Sequence, residues 1–288
     1  MDRLSGLDKY FKEKDRKKLD QVASEKNPMG IPEMTKDEIR QSCVENGGYE
    51  TAELNDKLYL HFRGFKKIEN LEEYTSCKAI WLDSNGLGKI EGLSHMKELR
   101  CLYLSKNLIN KIENVNNLSE LIVLDLHNNR LLDLNGISYL TKLDNLNVAG
   151  NALTTPDSIN ELKQCKSLRT LDIQNNRLEN NEEFIDIFKN IPELVTLSIN
   201  GNEFTKIPTF RKRMIYNVTK LGFLDRPIDT LERNAATAFI ENGPEAEKEV
   251  RAKYRASQDQ ERQDRMQNYK IWQKEQQEIR ANMPEGER

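Results

Sequence analysis

The side chains of this 288-residue chain that could do chemistry are three histidines, four cysteines and one glycine pair. A catalytic triad or a metal site needs its groups within hydrogen-bond or coordination reach of one another. The histidines, His61, His95 and His127, do not meet that condition. His61 and His127 stand 66 residues apart, which in the repeat described below is three strands at about 4.8 Å each. Cys43, Cys77, Cys101 and Cys165 include no C-x-x-C pair, so neither a zinc site nor a disulfide framework is supported, and a reducing compartment fits. Gly86-Leu87-Gly88 begins like a dinucleotide-binding loop, but the third glycine is misplaced. These patterns predict no catalysis, no metal and no cofactor, and leave recognition as the class of function.

The elements that would position a recognition surface follow one periodic pattern. Leu99, Leu102, Leu104, Asn107 and Ile109 return as Leu121, Leu124, Leu126, Asn129 and Leu131, the leucine-rich repeat spacing L-x-x-L-x-L-x-x-N-x-L. The asparagine recurs at Asn85, Asn107, Asn129, Asn151, Asn176 and Asn202, in steps of 22 residues up to Asn151 and of 25 and 26 beyond it. One step upstream the leucines persist at Leu58 and Leu60, but Arg63 replaces the asparagine, as suits a terminal repeat. In each Leu-x-Leu strand successive side chains alternate faces, so the leucines enter a core and the residue between them points out. A buried asparagine after the strand can satisfy backbone groups that would cost about 1 to 3 kcal/mol each if left unpaired. A second apolar column, with Ile112, Val115 and Leu118 in one repeat and Leu134, Ile137 and Leu140 in the next, closes the convex side. The expected fold is α/β: a leucine-rich repeat solenoid of the 22-residue type with a parallel β-sheet on its concave face.

Residues 1–34 read as a flexible charged leader, without the apolar stretch of a signal peptide. Residues 35–53 read as an N-terminal capping helix, opened by a Thr35/Glu38 capping box and closed by Gly47-Gly48. The repeat domain with a C-terminal half-repeat cap spans residues 54–228, and a charged helical tail spans 229–288. The two longer repeats should carry helices on the convex side, one starting near Pro156 and one containing Phe184, Ile187 and Phe188. The leucine spacing survives for half a repeat around Leu221 and Leu224 until Pro227 stops the strand.

This frame assigns one outward residue to each strand: Tyr59, Trp81, Tyr103, Asp125, Asn147, Asp172 and Ser198. They are the candidate protein-binding positions of the concave face, flanked by residues such as Asp83, Ser105 and His127. The first three repeats thus present an aromatic ridge and the others a polar, slightly acidic floor. Exposed aromatics anchor protein interfaces; the competing expectation is that they stack across strands and only stabilise the sheet.

Composition narrows the partners. A hydrophobic fraction of 37% and a mean hydropathy of -0.77 are too polar for a compact enzyme of this length, with charge densest at the ends. A formal net charge of -3 lacks the basic footprint that nucleic acid demands. No apolar run approaches the roughly 20 residues of a membrane span. A cytoplasmic monomer that binds other proteins is expected.

The stretch LNDKLYLHFRGFKKIENLEEYTSCKAIWLDSNGLGKIEGL, the lead-in MTKDEIRQSC, and FLDRPI followed by AEKEVRAKYR resemble the axonemal dynein assembly factors that carry leucine-rich repeats, the family of leucine-rich repeat-containing protein fifty. The likeness runs from Met34 to Arg255, and its non-repeat flanks make it specific. The resemblance implies a non-enzymatic factor in cytoplasmic preassembly of dynein arms for cilia or flagella. It implies dynein heavy or intermediate chains, chaperones and other assembly factors as partners, and carries over no catalytic residue. Two other functions share the repeat class: an axonemal dynein light chain, and a regulatory subunit of a type-one protein phosphatase. The charged tail and leader disfavour the first, and flanks resembling the assembly factor disfavour the second.

Overall fold

The computed structural model describes residue 30 and residues 32–282. Most of the expected leader, residues 1–29 and 31, lies outside the described residues. The chain divides into a repeat unit that ends at Pro227 and a helical unit that begins at Ile228.

Repeat length dictates the architecture of the first unit. Seven three-residue strands, β1 (Lys57–Tyr59), β2 (Ala79–Trp81), β3 (Cys101–Tyr103), β4 (Val123–Asp125), β5 (Asn145–Asn147), β6 (Thr170–Asp172) and β7 (Thr196–Ser198), lie in sequence order with a two-residue β8 (Phe223–Leu224). All eight pair in parallel, and the central residues Leu58, Ile80, Leu102, Leu124, Leu146, Leu171 and Leu197, with Leu224, fall opposite one another without a slip. Each of these side chains is at most 1% exposed. A slip of one residue would turn this whole spine to the other face, so the burial itself fixes the register.

The asparagine column performs the expected task. Asn129 Nδ2 donates to the carbonyl of Leu104 in the preceding repeat (2.9 Å) and to Leu126 in its own (3.0 Å), while its Oδ1 accepts from the Ile109 N–H (3.0 Å). Asn107, Asn151, Asn176 and Asn202 make the corresponding bonds and are buried. The residue just before each column position is left-handed, from Phe62 and Ser84 through Lys106, Asn128, Gly150 and Asn175 to Gly201. At Gly150 a Cβ would come within 2.3 Å of Asn128 Oδ1, so this turn packs directly on the one before it.

The convex side changes character along the array. Tight turns serve the 22-residue repeats, and the first longer repeat carries a 3₁₀ helix, Pro156–Gln164, where an α-helix is the default for a run of this length. The reason is visible in its buried residues: Pro156, Ile159, Leu162 and Cys165 recur every third position, the period of a 3₁₀ helix. The next repeat carries α2 (Glu183–Lys189), with Phe184, Ile187 and Phe188 buried as the spacing predicts and Phe204 against Phe184 at a ring distance of 4.7 Å.

The two edges end differently. At the N-terminal edge α1 (Lys36–Glu45) begins at Thr35, whose hydroxyl accepts from the Glu38 N–H (3.2 Å). Ile39 and Cys43 are buried, and Ser42 Oγ donates to the edge carbonyl of Tyr59 (2.6 Å). Met34, assigned by sequence to the leader, is buried, and its carbonyl accepts from Asn70 Nδ2 (2.7 Å). At the other edge Pro227 does not merely end a strand. The chain reverses at Asp225 (φ 56) and β9 (Arg226–Pro227) pairs antiparallel with β8. Proline is tolerated there because an outermost strand needs no N–H on its open side. The guanidinium of Arg211, on α3 (Phe210–Asn217), donates to the carbonyls of Leu224, Arg226 and Pro227.

The helical unit contains α4 (Thr230–Asn242), capped by Asp229 accepting from the Glu232 N–H (2.6 Å), and the 39-residue α5 (Pro244–Asn282), with Gly243 (φ 86) between them. Met266, Tyr269 and Trp272 on α5 are exposed. No helix among the described residues is long and apolar enough to cross a membrane.

Candidate functional site

Parallel pairing brings all seven sequence-derived positions into one column. Tyr59, Trp81, Tyr103, Asp125, Asn147, Asp172 and Ser198 are each opposite the next. All seven are half-buried. Ladder bonds continue beyond the strands, from Phe62 N–H to Asp83 O and on to Asn175 N–H to Asn200 O. A second column, Asp83, Ser105, His127, Ala149, Gln174 and Asn200, is thereby aligned beside the first. Asp225 follows the last β7–β8 pair, and its Oδ1 accepts from the N–H groups of Ile199 (2.7 Å) and Asn200 (3.0 Å) beside the end of the column.

The aromatic ridge is a continuous stack. The rings of Tyr59 and Trp81 lie 4.6 Å apart at 15°, and those of Trp81 and Tyr103 lie 5.1 Å apart at 12°. Both faces of Trp81 are therefore covered by its neighbours, which gives these aromatics a structural role whether or not a partner sits on them. Tyr103 ends the stack, because the next rung is Asp125. Burial above all, then the nearby Cys101 and Asp125, pushes the Tyr103 phenol above its ordinary range.

The carboxylates are held by turn geometry. Asp125 Oδ1 accepts from the His127 N–H (3.0 Å) and pairs with His127 Nδ1 (2.7 Å), while Asp172 Oδ1 accepts from the Gln174 N–H (3.0 Å). Asn147, between them, bonds the Ala149 N–H through Oδ1 in the same way (3.1 Å). Asp83 Oδ1 reaches across to Ser105 N–H (3.0 Å) and Oγ (2.7 Å). Burial raises the Asp172 carboxyl above the usual carboxylate range. The N–H of Gln174 opposes that rise, and the negative charges of Asp225 and Asp125 add to it.

The chemistry-bearing residues do not converge elsewhere. His95 Nε2 bonds the Leu71 carbonyl (2.7 Å), and His61 lies against Tyr59 and Phe62, so neither shares a site with His127. Among the described residues no three His, Cys, Asp or Glu side chains are grouped to hold a metal. All four cysteines are free thiols. Burial pushes Cys77 up to about 12 and Cys165 up to about 11, far from the lowered values of reactive thiols. What the site offers is stacked rings, fixed carboxylates and amides on a regular parallel ladder.

Comparison with known proteins agrees with this geometry. A leucine-rich repeat family model matches residues 49–191. The chain is 55% identical over 220 residues to leucine-rich repeat-containing protein ODA7 of Chlamydomonas reinhardtii, covering 76% of this chain and 51% of that protein. It is 57% identical over 225 residues to human dynein axonemal assembly factor 1, covering 77% of this chain and 31% of that one. A homolog from Drosophila erecta shares 45% over 240 residues, covering 82% of this chain and 16% of its own length. The chain thus spans about half or less of the length of these relatives. Among solved structures, an internalin from Listeria monocytogenes superposes with a TM-score of 0.52 at 27% identity, covering 62% of this chain and 51% of that one. Ladder, register and relatives agree: the chain belongs to the leucine-rich repeat family, and its repeat domain is homologous to those of the dynein axonemal assembly factors.

Proposed function

We propose that this chain is a non-catalytic, protein-binding scaffold in the cytoplasmic preassembly of axonemal dynein arms, and that cilium or flagellum motility requires it. The observation that carries this reading is 57% identity over 225 residues to a protein named dynein axonemal assembly factor 1. The half-buried column from Tyr59 to Ser198 supports it as the binding surface. The partners we assign are dynein heavy or intermediate chains, chaperones and other assembly factors, met by a monomer in the cytoplasm. No observation favours a light-chain or phosphatase-regulatory role.

The test is a double variant, Trp81→Ala with Tyr103→Ala. Loss of two stacked pairs costs about 1 to 3 kcal/mol beyond the area involved, a fall in Tm of about 5 °C for a domain of this size, so the variant stays folded. Co-purification of dynein subunits with the full chain from ciliated or flagellated cells should fall at least about tenfold, the loss of one interface anchor or more. Unchanged capture by the folded variant would make the ridge purely structural.

A further inference from the structure

We propose that the concave wall receives a basic segment of its protein partner, with one arginine seated where the aromatic stack ends and the carboxylates begin, between Tyr103 and Asp125. This seat rests on the protein-binding reading above and specifies the chemistry of what is bound.

Charge is the first reason. The chain carries 44 Lys and Arg against 47 Asp and Glu, yet the concave columns of β2 to β7 hold Asp83, Asp125 and Asp172 and neither Lys nor Arg. A wall of one sign on a nearly balanced chain selects partners of the opposite sign. Hydrogen bonding is the second. Asp83, Asp125 and Asp172 are each fixed through Oδ1, and among the described residues Oδ2 of each has no partner. A carboxylate oriented by one oxygen and open at the other is prepared for a charge-assisted bond from a guanidinium or ammonium group.

Ring geometry supplies the third reason and distinguishes arginine from lysine. Tyr103 lies on Trp81 through one face, and the rung beyond its other face is the small side chain of Asp125. A planar guanidinium can lie on that face while its N–H groups reach the adjacent carboxylate, an arrangement an ammonium cannot match. Asn147 separates Asp125 from Asp172 by two rungs, about 9 to 10 Å, which suits two cationic side chains of one segment. The mutual repulsion that helps to raise the Asp172 carboxyl is relieved by such a segment.

Asn147 also supplies the isosteric control. Its amide makes the same Oδ1 bond as the two aspartates, so Asp125→Asn with Asp172→Asn removes charge and keeps the turns. The full chain bearing Trp272→Phe, which leaves Trp81 as the one tryptophan, is titrated with octa-arginine and with octa-lysine, following tryptophan emission at about 150 mM salt. Octa-arginine should bind at least about fivefold more tightly than octa-lysine. The Asp125→Asn, Asp172→Asn pair should weaken both peptides at least about tenfold. Tyr103→Leu should abolish the preference for arginine and leave octa-lysine within about twofold. Glu72→Gln with Glu98→Gln, exposed residues outside the columns, should change either affinity less than about twofold.

Octa-arginine binding that ignores the concave aspartates, or that responds equally to the Glu72 and Glu98 changes, overturns the seat. So does a dimer in sedimentation that Asp125→Asn with Asp172→Asn dissolves, since the occupant would then be a second copy. The broader reading fails separately. If the concave variant still captures dynein subunits as the wild type does, the seat is wrong and the scaffold stands. If the wild type binds octa-arginine but captures no dynein subunit, the scaffold is wrong and the seat stands.

Discussion

Leu124→Asp abolishes the folded repeat domain: far-ultraviolet dichroism shows no cooperative thermal transition, and the protein elutes as aggregate. Leu124 is fully buried at the centre of β4, opposite Leu102 and Leu146. Removing a buried leucine side chain costs about 2 to 5 kcal/mol, and an ionised carboxylate placed there adds several kcal/mol of unrepaid desolvation. The sum reaches the whole stability of a typical domain, about 5 to 15 kcal/mol. The neighbouring outward position should behave oppositely, since Asp125 already carries a carboxylate one residue away. A Leu124→Asp protein that melts within a few degrees of the wild type would mean that β4 does not contribute to the core as described.

Asn129→Ala is the second large effect, and it acts through hydrogen bonds instead of volume. The change strands the N–H of Ile109 in a buried layer and takes one of two bonds from each of the carbonyls of Leu104 and Leu126, which keep the amides of Asn107 and Asn151. At about 1 to 3 kcal/mol for the unsatisfied N–H and about 0.5 to 1.5 kcal/mol for each lost bond, the loss is about 2 to 6 kcal/mol, or a Tm lower by about 5 to 20 °C. Because a solenoid is stabilised by neighbour contacts, hydrogen exchange should accelerate first at Ile109 and in the strands on either side. Asn85→Ala is the internal comparison. Its amide makes the same kind of bonds, but the site is half-buried near the end of the array, so water can replace part of what is lost and the Tm should fall less. Equal effects at Asn85 and Asn129 would argue against burial as the source of the asparagine's importance.

Much of this was legible because the repeat is short and strictly spaced. Leucine positions place a strand every 22 residues, and once strands pair in order the alternation of faces fixes which side chain looks outward. Tyr59 through Ser198 could therefore be assigned to one column without coordinates. Two features were not legible, each for a definite reason. The ring stack needs side-chain torsions, which spacing does not encode: Trp81 is sandwiched, and its apolar character has a cause within the sheet. The left-handed column before the asparagines is occupied by Phe62, Ser84, Lys106, Asn128, Gly150, Asn175 and Gly201, so a shared backbone conformation hides behind unlike residues. A second left-handed column, Asn70, Gly92, Asn114 and Gly136, does keep turn-forming types at 22-residue steps. The Asn114 side chain there bonds Ile90 O (2.7 Å), whereas a Cβ at Gly92 would meet Ile68 O at 2.6 Å. The 3₁₀ helix at Pro156 was likewise written in the sequence, as a three-residue apolar period within a segment that reads simply as helical.

The spine of Leu and Ile residues and the asparagine column hold the strands in register, and the register aligns the aromatic stack with the fixed carboxylates. Identity to the assembly factors covers about three quarters of the chain, 76% in the algal relative and 77% in the human one, and the scaffold role we propose rests on that identity.

The most direct measurement is electron cryo-tomography of axonemes from cells in which this gene is deleted and then restored with either the wild-type chain or the folded Trp81→Ala, Tyr103→Ala variant. The account predicts axonemes that lack dynein arms after deletion, arms restored by the wild type, and arms still missing with the variant. Complete arms in the deleted cells would contradict it.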